Sequence, residues 1–222
     1  MFDYLFFDLD GTLTNPAQGI TNSFIYAFKS LGIEVPTYET LLTFIGPPLP
    51  VTFGKMMGLP ESQVDEAIKK YREYFSTRGI FENELFDDIP PALEKLKASG
   101  EKLVVATSKP EEYSVKIVNH FGLEKYFDYV CGSCMDETRG SKTEIISYAL
   151  DRCGIDSSRD SSGSKDKSRV LMIGDRFHDI EGAKNNQIKS CGVLYGFGSQ
   201  KELKKAGADY IIPKIDGLFK IV

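Results

Sequence analysis

The chain has 222 residues, with 27 Lys and Arg against 32 Asp and Glu, so its formal net charge is −5. Hydrophobic residues make up 41% and charged residues 27%, a globular balance that excludes disorder along the whole chain and supplies a core without staples. The acidic excess argues against nucleic acid or an anionic membrane as the main partner, but not against a small anion in one locally cationic cleft. No apolar run approaches the roughly 18 residues of a membrane span. The opening Met1-Phe-Asp-Tyr-Leu-Phe-Phe-Asp carries no export leader, so a cytoplasmic location is expected. The four cysteines (131, 134, 153 and 191) include a lone CxxC without further ligands at zinc spacing, and are expected to be reduced thiols.

Taken in chain order, residues 4–9 form a short apolar run that ends in acid and glycine, the pattern of a buried parallel strand delivering a loop to a site. From about 16 to 85 only helical patterns follow. Ile20, Phe24, Ala27, Phe28 and Leu31 share one face over 18–31, and Val64, Ala67, Ile68, Tyr71, Tyr74 and Phe75 do so over 61–77. Between them, 43–50 reads as a proline-rich turn. Helix signals then recur at 90–100, 111–121, 142–153, 179–186 and 200–206. They alternate with strand signals at 102–107, 127–131, 169–173, 190–194 and 210–212. This order predicts an α/β parallel sheet with helices on both faces, formed by residues 1–15 and 86–222, with residues 16–85 inserted as a helical cap, a natural lid. The stretch 157–168 holds no apolar residue and reads as a solvated loop.

Four short segments carry chemistry. Asp8-Leu9-Asp10-Gly11-Thr12 puts two carboxylates on one loop, where Gly11 permits a tight turn and a hard cation would relieve their repulsion. Gly174-Asp175-Arg-Phe-His-Asp179 follows another buried strand, and ligands collect at the carboxyl ends of parallel strands. Asp179 also fits a helix N-cap. Thr107-Ser108-Lys109 offers a hydroxyl and backbone N–H groups at a strand-to-helix turn, an anion cradle. Lys142 opens a helix, where a cation opposes the helix dipole unless it faces anions.

In this order the four segments resemble the haloacid dehalogenase-like superfamily, in the subclass with a helical cap between its first and second motifs. Phe44-Ile-Gly46-Pro47-Pro48-Leu49 and Ala106-Thr-Ser-Lys-Pro110 are similar to the phosphoglycolate phosphatase and bacterial 5′-nucleotidase branches. The resemblance implies a Rossmann-like core and a Mg2+-dependent phosphomonoester hydrolase acting on a small phosphorylated metabolite. Asp8 would be the nucleophile and Asp10 the general acid and base, by way of an aspartyl-phosphate. Mg2+ would be held by Asp8, the Asp10 carbonyl and Asp175. Thr107, Ser108 and Lys142 would hold the phosphoryl oxygens, with Gly11, Thr12 and Asp179 in support.

The alternatives narrow on single residues. Asp10 is absent from the superfamily's dehalogenases, and 14–20 lacks the cap histidine of its mutases. Lys55 is the one candidate for a phosphonatase lysine, against three prolines just before it. A binding protein on a retired scaffold would lack one of the acids or the lysine. For substrate choice, Gly46, Pro47, Pro48, Leu49 and Lys55 are the cap candidates, with Arg72 and Arg78. Phe44, Phe53, Tyr71 and Tyr74 could face a base, or could form the cap core. The sequence leaves the oligomeric state open; a closing cap needs no partner subunit, so a monomer is compatible with it.

Overall fold

The computed structural model describes residues 1–136, 138–155 and 166–222. Its strands, in chain order, are β1 (Tyr4–Phe7), β2 (Thr14–Asn15), β3 (Glu84–Leu85), β4 (Lys102–Pro110), β5 (Tyr129–Ser133), β6 (Val170–Gly174), β7 (Lys189–Val193) and β8 (Tyr210–Ile212). Its α-helices are α1 (Ala17–Ser30), α2 (Tyr38–Leu42), α3 (Glu61–Tyr74), α4 (Ile89–Ser99), α5 (Glu111–His120), α6 (Lys142–Arg152), α7 (Phe177–Asn185) and α8 (Gln200–Ala206). The chain divides into two compact units, Met1–Leu13 with Leu85–Val222, and Thr14–Glu84.

In the first unit six strands form a parallel sheet in the order β5-β4-β1-β6-β7-β8. This is the Rossmann-like α/β architecture that the strand–helix alternation implies. β1 lies at its centre because its residues are apolar on both sides of the pleat. Phe6 sits opposite Val104 and Met172, and all three join Ile145, Ile146, Ala149 and Leu150 of α6 in one buried cluster. Leu5 and Phe7, on the other face, are equally inaccessible, as a sheet covered on both faces requires. The expected strand at 102–107 continues to Pro110, through a register shift against β5 between Ala106 and Pro110.

The second unit is built around Phe24 of α1. Its ring lies 4.8–6.0 Å, centroid to centroid, from those of Phe28, Phe44, Phe53 and Tyr71. Glu82 ties the unit together by accepting from Asn22 at 2.9 Å and from the Tyr74 hydroxyl at 2.8 Å. The expected turn at 43–50 lies between α2 and a π-helical turn. α2 precedes it, capped by the Thr37 hydroxyl. A π-helical turn spans Val51–Met56 immediately behind Pro50, and a proline at a helix start loses no hydrogen bond. A second π-helical turn, Phe75–Gly79, takes over the end of the helix expected to reach residue 77. The two passages into this unit, β2 and β3, pair with each other.

The four cysteines are free thiols, and Cys131 and Cys191 are wholly buried. Burial pushes both thiols up to about 12, which keeps them in the neutral form. Of the serine-rich stretch, 157–165 lies outside the described residues, and Lys167–Arg169 forms a single 3-10 turn. No described helix is long and apolar enough to cross a membrane. Because Phe24 is fully enclosed by four other rings, Phe24→Ala is expected to cost about 3–5 kcal/mol of stability. Denaturant unfolding followed by circular dichroism measures this, and a loss under about 1 kcal/mol would contradict the packing described.

Candidate active site

Strand register brings the motifs to one edge of the sheet. Phe7 sits opposite both Val105 and Ile173, so Asp8, Thr107 and Asp175 all lie toward the same end of the sheet. The Asp8 N–H still donates to the Ile173 carbonyl at 2.9 Å, which fixes the start of the Asp8–Thr12 turn. Gly11 takes φ +82° in that turn. A Cβ there would run into the Asp175 carboxylate, so both backbone sign and space demand glycine.

Lys142 is the centre of the site. It is the first residue of α6, behind a capping box in which Ser141 and Glu144 satisfy each other's backbone N–H groups. Its side chain is 4% exposed. The ammonium lies 2.8 Å from Asp8 Oδ1, 2.8 Å from Asp179 Oδ1 and 3.1 Å from the Ala106 carbonyl oxygen. Burial alone would strip its proton, but the two carboxylates outweigh burial and hold it charged. Asp179, the third residue of α7, also accepts the Arg176 N–H through Oδ2 at 3.1 Å. It therefore serves the helix start and the lysine together.

Asp175 is fully buried. It accepts the Phe197 N–H at 2.7 Å and makes a long contact to the Thr12 hydroxyl at 3.5 Å. Burial, then the charges of Asp179 and Asp8, push its carboxyl well above the usual range. Phe197 belongs to a loop after β7 that the sequence reading passed over. Tyr195 in that loop donates to the Thr12 carbonyl at 3.0 Å, and a Cβ on Gly196 would strike Gly11 and Asp175. Its only sequence signal is the Gly-x-Gly spacing at 196–198.

Asp10 points elsewhere. Lys109 Nζ lies 2.6 Å from Asp10 Oδ2, with both side chains largely buried. Lys109 is the second residue that the reading of the sequence did not single out for a role, although it sits inside the Thr107-Ser108-Lys109 turn. Thr107 is buried and its hydroxyl accepts the Lys109 N–H at 3.3 Å, while Ser108 is half-buried. His178 is half-buried, and burial followed by the Arg176 charge lowers it to about 4, so it is neutral at physiological pH.

One oxygen each of Asp8, Asp175 and Asp179 fall within 4.8 Å of one another. Ionised, these three carboxylates against the Lys142 ammonium leave −3 + 1 = −2 in a buried space. A hard divalent cation with oxygen ligands matches that surplus in charge and donor type. The third side chain of this cluster is Asp179, expected only in support, while the Asp10 carboxylate lies with Lys109. In the helical unit, Lys55 and Gly46 are exposed and Pro47, Pro48 and Leu49 half-buried. Phe44, Phe53 and Tyr71 are buried in that unit's core and present no aromatic surface to a ligand.

Removing the ammonium while keeping its length, Lys142→Met, strands Asp8 and Asp179 and is expected to cost about 3–5 kcal/mol in metal-free protein. A carboxyl whose folded value lies above its unfolded value destabilises the fold above that raised value and is relieved as the pH falls through it. The deficit of the variant should therefore shrink as pH is lowered from about 8 to about 5. A deficit constant across pH-dependent unfolding curves would contradict this charge arrangement.

A model of the haloacid dehalogenase-like hydrolase family matches residues 5–193. A 5′-nucleotidase from Pseudomonas aeruginosa is 44% identical over 200 residues, covering 90% of this chain and 86% of that protein. The tyrosine-protein kinase PtkA of Mycobacterium tuberculosis is 38% identical over 205 residues, covering 92% of this chain and 66% of that protein. The crystal structure of a predicted phosphatase from Clostridium acetobutylicum superposes with a TM-score of 0.91 at 42% identity, covering 100% of this chain and 98% of that one. The chain belongs to the haloacid dehalogenase-like hydrolase family, and within it to the phosphatases.

Proposed function

We propose that the protein is a Mg2+-dependent phosphomonoester hydrolase working through an aspartyl-phosphate, with nucleoside monophosphates as its substrate class. The observation that carries the reading is the cluster of three buried carboxylates, Asp8, Asp175 and Asp179, two of them paired with Lys142. Asp8 is the attacking carboxylate: its oxygen forms the bond to phosphorus as the bond to the leaving oxygen breaks. Asp10 gives its proton to that leaving oxygen, then takes one from the water that hydrolyses the aspartyl-phosphate. The Thr107 hydroxyl, the Ser108 N–H and Lys142 hold the phosphoryl oxygens, and Asp179 orients Lys142. Asp8, the Asp10 carbonyl and Asp175 would hold Mg2+, with Gly11 and Thr12 shaping the turn. When bound, the ion neutralises charge between an anionic nucleophile and an anionic phosphate.

The nucleotide reading takes precedence over a small phosphorylated acid because the Pseudomonas aeruginosa relative carries that name. Tyr38 and Phe81 are exposed aromatic side chains of the helical unit. Gly46, Pro47, Pro48, Leu49 and Lys55 remain the substrate-selecting candidates of that unit. The name of the Mycobacterium tuberculosis relative adds a second acceptor to consider, since an aspartyl-phosphate can pass its phosphoryl group to a tyrosine hydroxyl as well as to water.

Phosphate release with Mg2+ should be measured for nucleoside monophosphates, phosphoglycolate, sugar phosphates and pyrophosphate, with a tyrosine peptide as alternative acceptor. The highest kcat/KM is expected for a nucleoside monophosphate and water. Asp8→Asn should lower kcat at least about a thousandfold with the fold intact. An undiminished rate would refute the nucleophile, and no turnover of any compound would favour a binding protein. Separately, Mg2+ at about 100 times its Kd should stabilise the protein by about 2.7 kcal/mol. Asp175→Asn should remove most of that thermal shift, and a full shift in the variant would place the ion elsewhere.

A further inference from the structure

The two acids of the Asp8–Asp10 pair lie two residues apart, yet their carboxylates occupy separate environments. That of Asp8 joins Asp175, Asp179 and Lys142. That of Asp10 is gripped through Oδ2 by Lys109, while its Oδ1 is buried and has no hydrogen-bond partner among the described residues. A buried carboxylate oxygen without a partner is costly, and it persists here with the other oxygen pinned at 2.6 Å.

Lys109 is itself held on several sides. Its N–H donates to the Thr107 hydroxyl at 3.3 Å, and its carbonyl accepts the Ser114 hydroxyl at 3.4 Å. A Cβ on Gly132 would come within 2.6 Å of that carbonyl, so β5 packs directly against it. The side chain is 6% exposed, which fixes the reach of the ammonium. The lysine is thus the rigid partner, and the carboxylate on its glycine-flanked turn is the group being placed.

We propose that Lys109 is a positioning residue that holds the Asp10 carboxyl by one oxygen and presents the other, Oδ1, for proton transfer with the leaving group. This rests on the assignment of Asp10 as general acid and base above. The step moves one proton from Asp10 to the leaving oxygen as its bond to phosphorus breaks, and Lys109 exchanges no proton. A leaving group that needs that proton depends on where the carboxyl sits, and one that departs readily as an anion does not.

The test compares the Mg2+-loaded protein with Lys109→Met, Asp10→Asn and the double variant, on para-nitrophenyl phosphate and on an alkyl phosphate. Lys109→Met should lower kcat on the alkyl phosphate at least about tenfold more than on the nitrophenyl ester, with KM moving equally for both. Lys109→Arg should restore part of that difference. In the double variant no buried charge is left over, so it tests the pair even where Lys109→Met folds poorly. It should be no slower than Asp10→Asn alone. Equal losses on both esters, or a further loss of activity in the double variant, would overturn the role of Lys109 while leaving Asp10 as assigned. If Asp10→Asn itself affects both esters equally, the Asp10 assignment fails and this inference falls with it.

Discussion

The site depends on one buried ammonium. Lys142 Nζ collects oxygens from β1's end (Asp8), β4 (Ala106) and α7 (Asp179), three segments far apart in sequence. A helix start is an unfavourable place for a cation, and the capping box of Ser141 and Glu144 together with these three acceptors offsets that cost. The same charge that knits the segments together is outnumbered by its neighbours. Ionised, that excess would suit a divalent ion, and in the proposed chemistry the ammonium also meets the phosphoryl group.

The Asp8–Asp10 turn separates two carboxyl groups by placing each beside its own lysine. Asp8 pairs with Lys142 and clusters with two other acids, and Asp10 pairs with Lys109. Asp10 is raised by burial, a tendency that the Lys109 charge opposes. Two acids of one type in different surroundings is the usual way for one site to run nucleophilic and acid–base chemistry side by side. The proposed roles follow that division.

Much of the fold was legible because buried parallel strands announce themselves. The runs at 4–7, 102–107 and 170–173 have no polar alternation, and acid, hydroxyl or glycine follows each at the edge where ligands collect. What could not be read is what depends on tertiary approach. Lys109 looks like any surface lysine until β4 runs past Thr107 and carries it toward Asp10. Phe197 contributes only a backbone N–H to Asp175, which no side-chain pattern can reveal. In the helical unit, Phe44, Phe53 and Tyr71 fit both a ligand surface and a core, and the mutual packing of rings around Phe24 decided for the core.

The pairing of β1 has a consequence for how the molecule is made. The strand comes first in the chain, yet its neighbours are β4, around residue 104, and β6, around residue 172. A ribosome therefore releases the central strand long before either flank exists. The helical segment between them forms a compact unit of its own and is able to acquire its structure while that strand waits. Until β6 emerges, Leu5, Phe6 and Phe7 lack one of their two flanking strands, so the step that encloses β1 is also the one that brings Asp175 alongside Asp8.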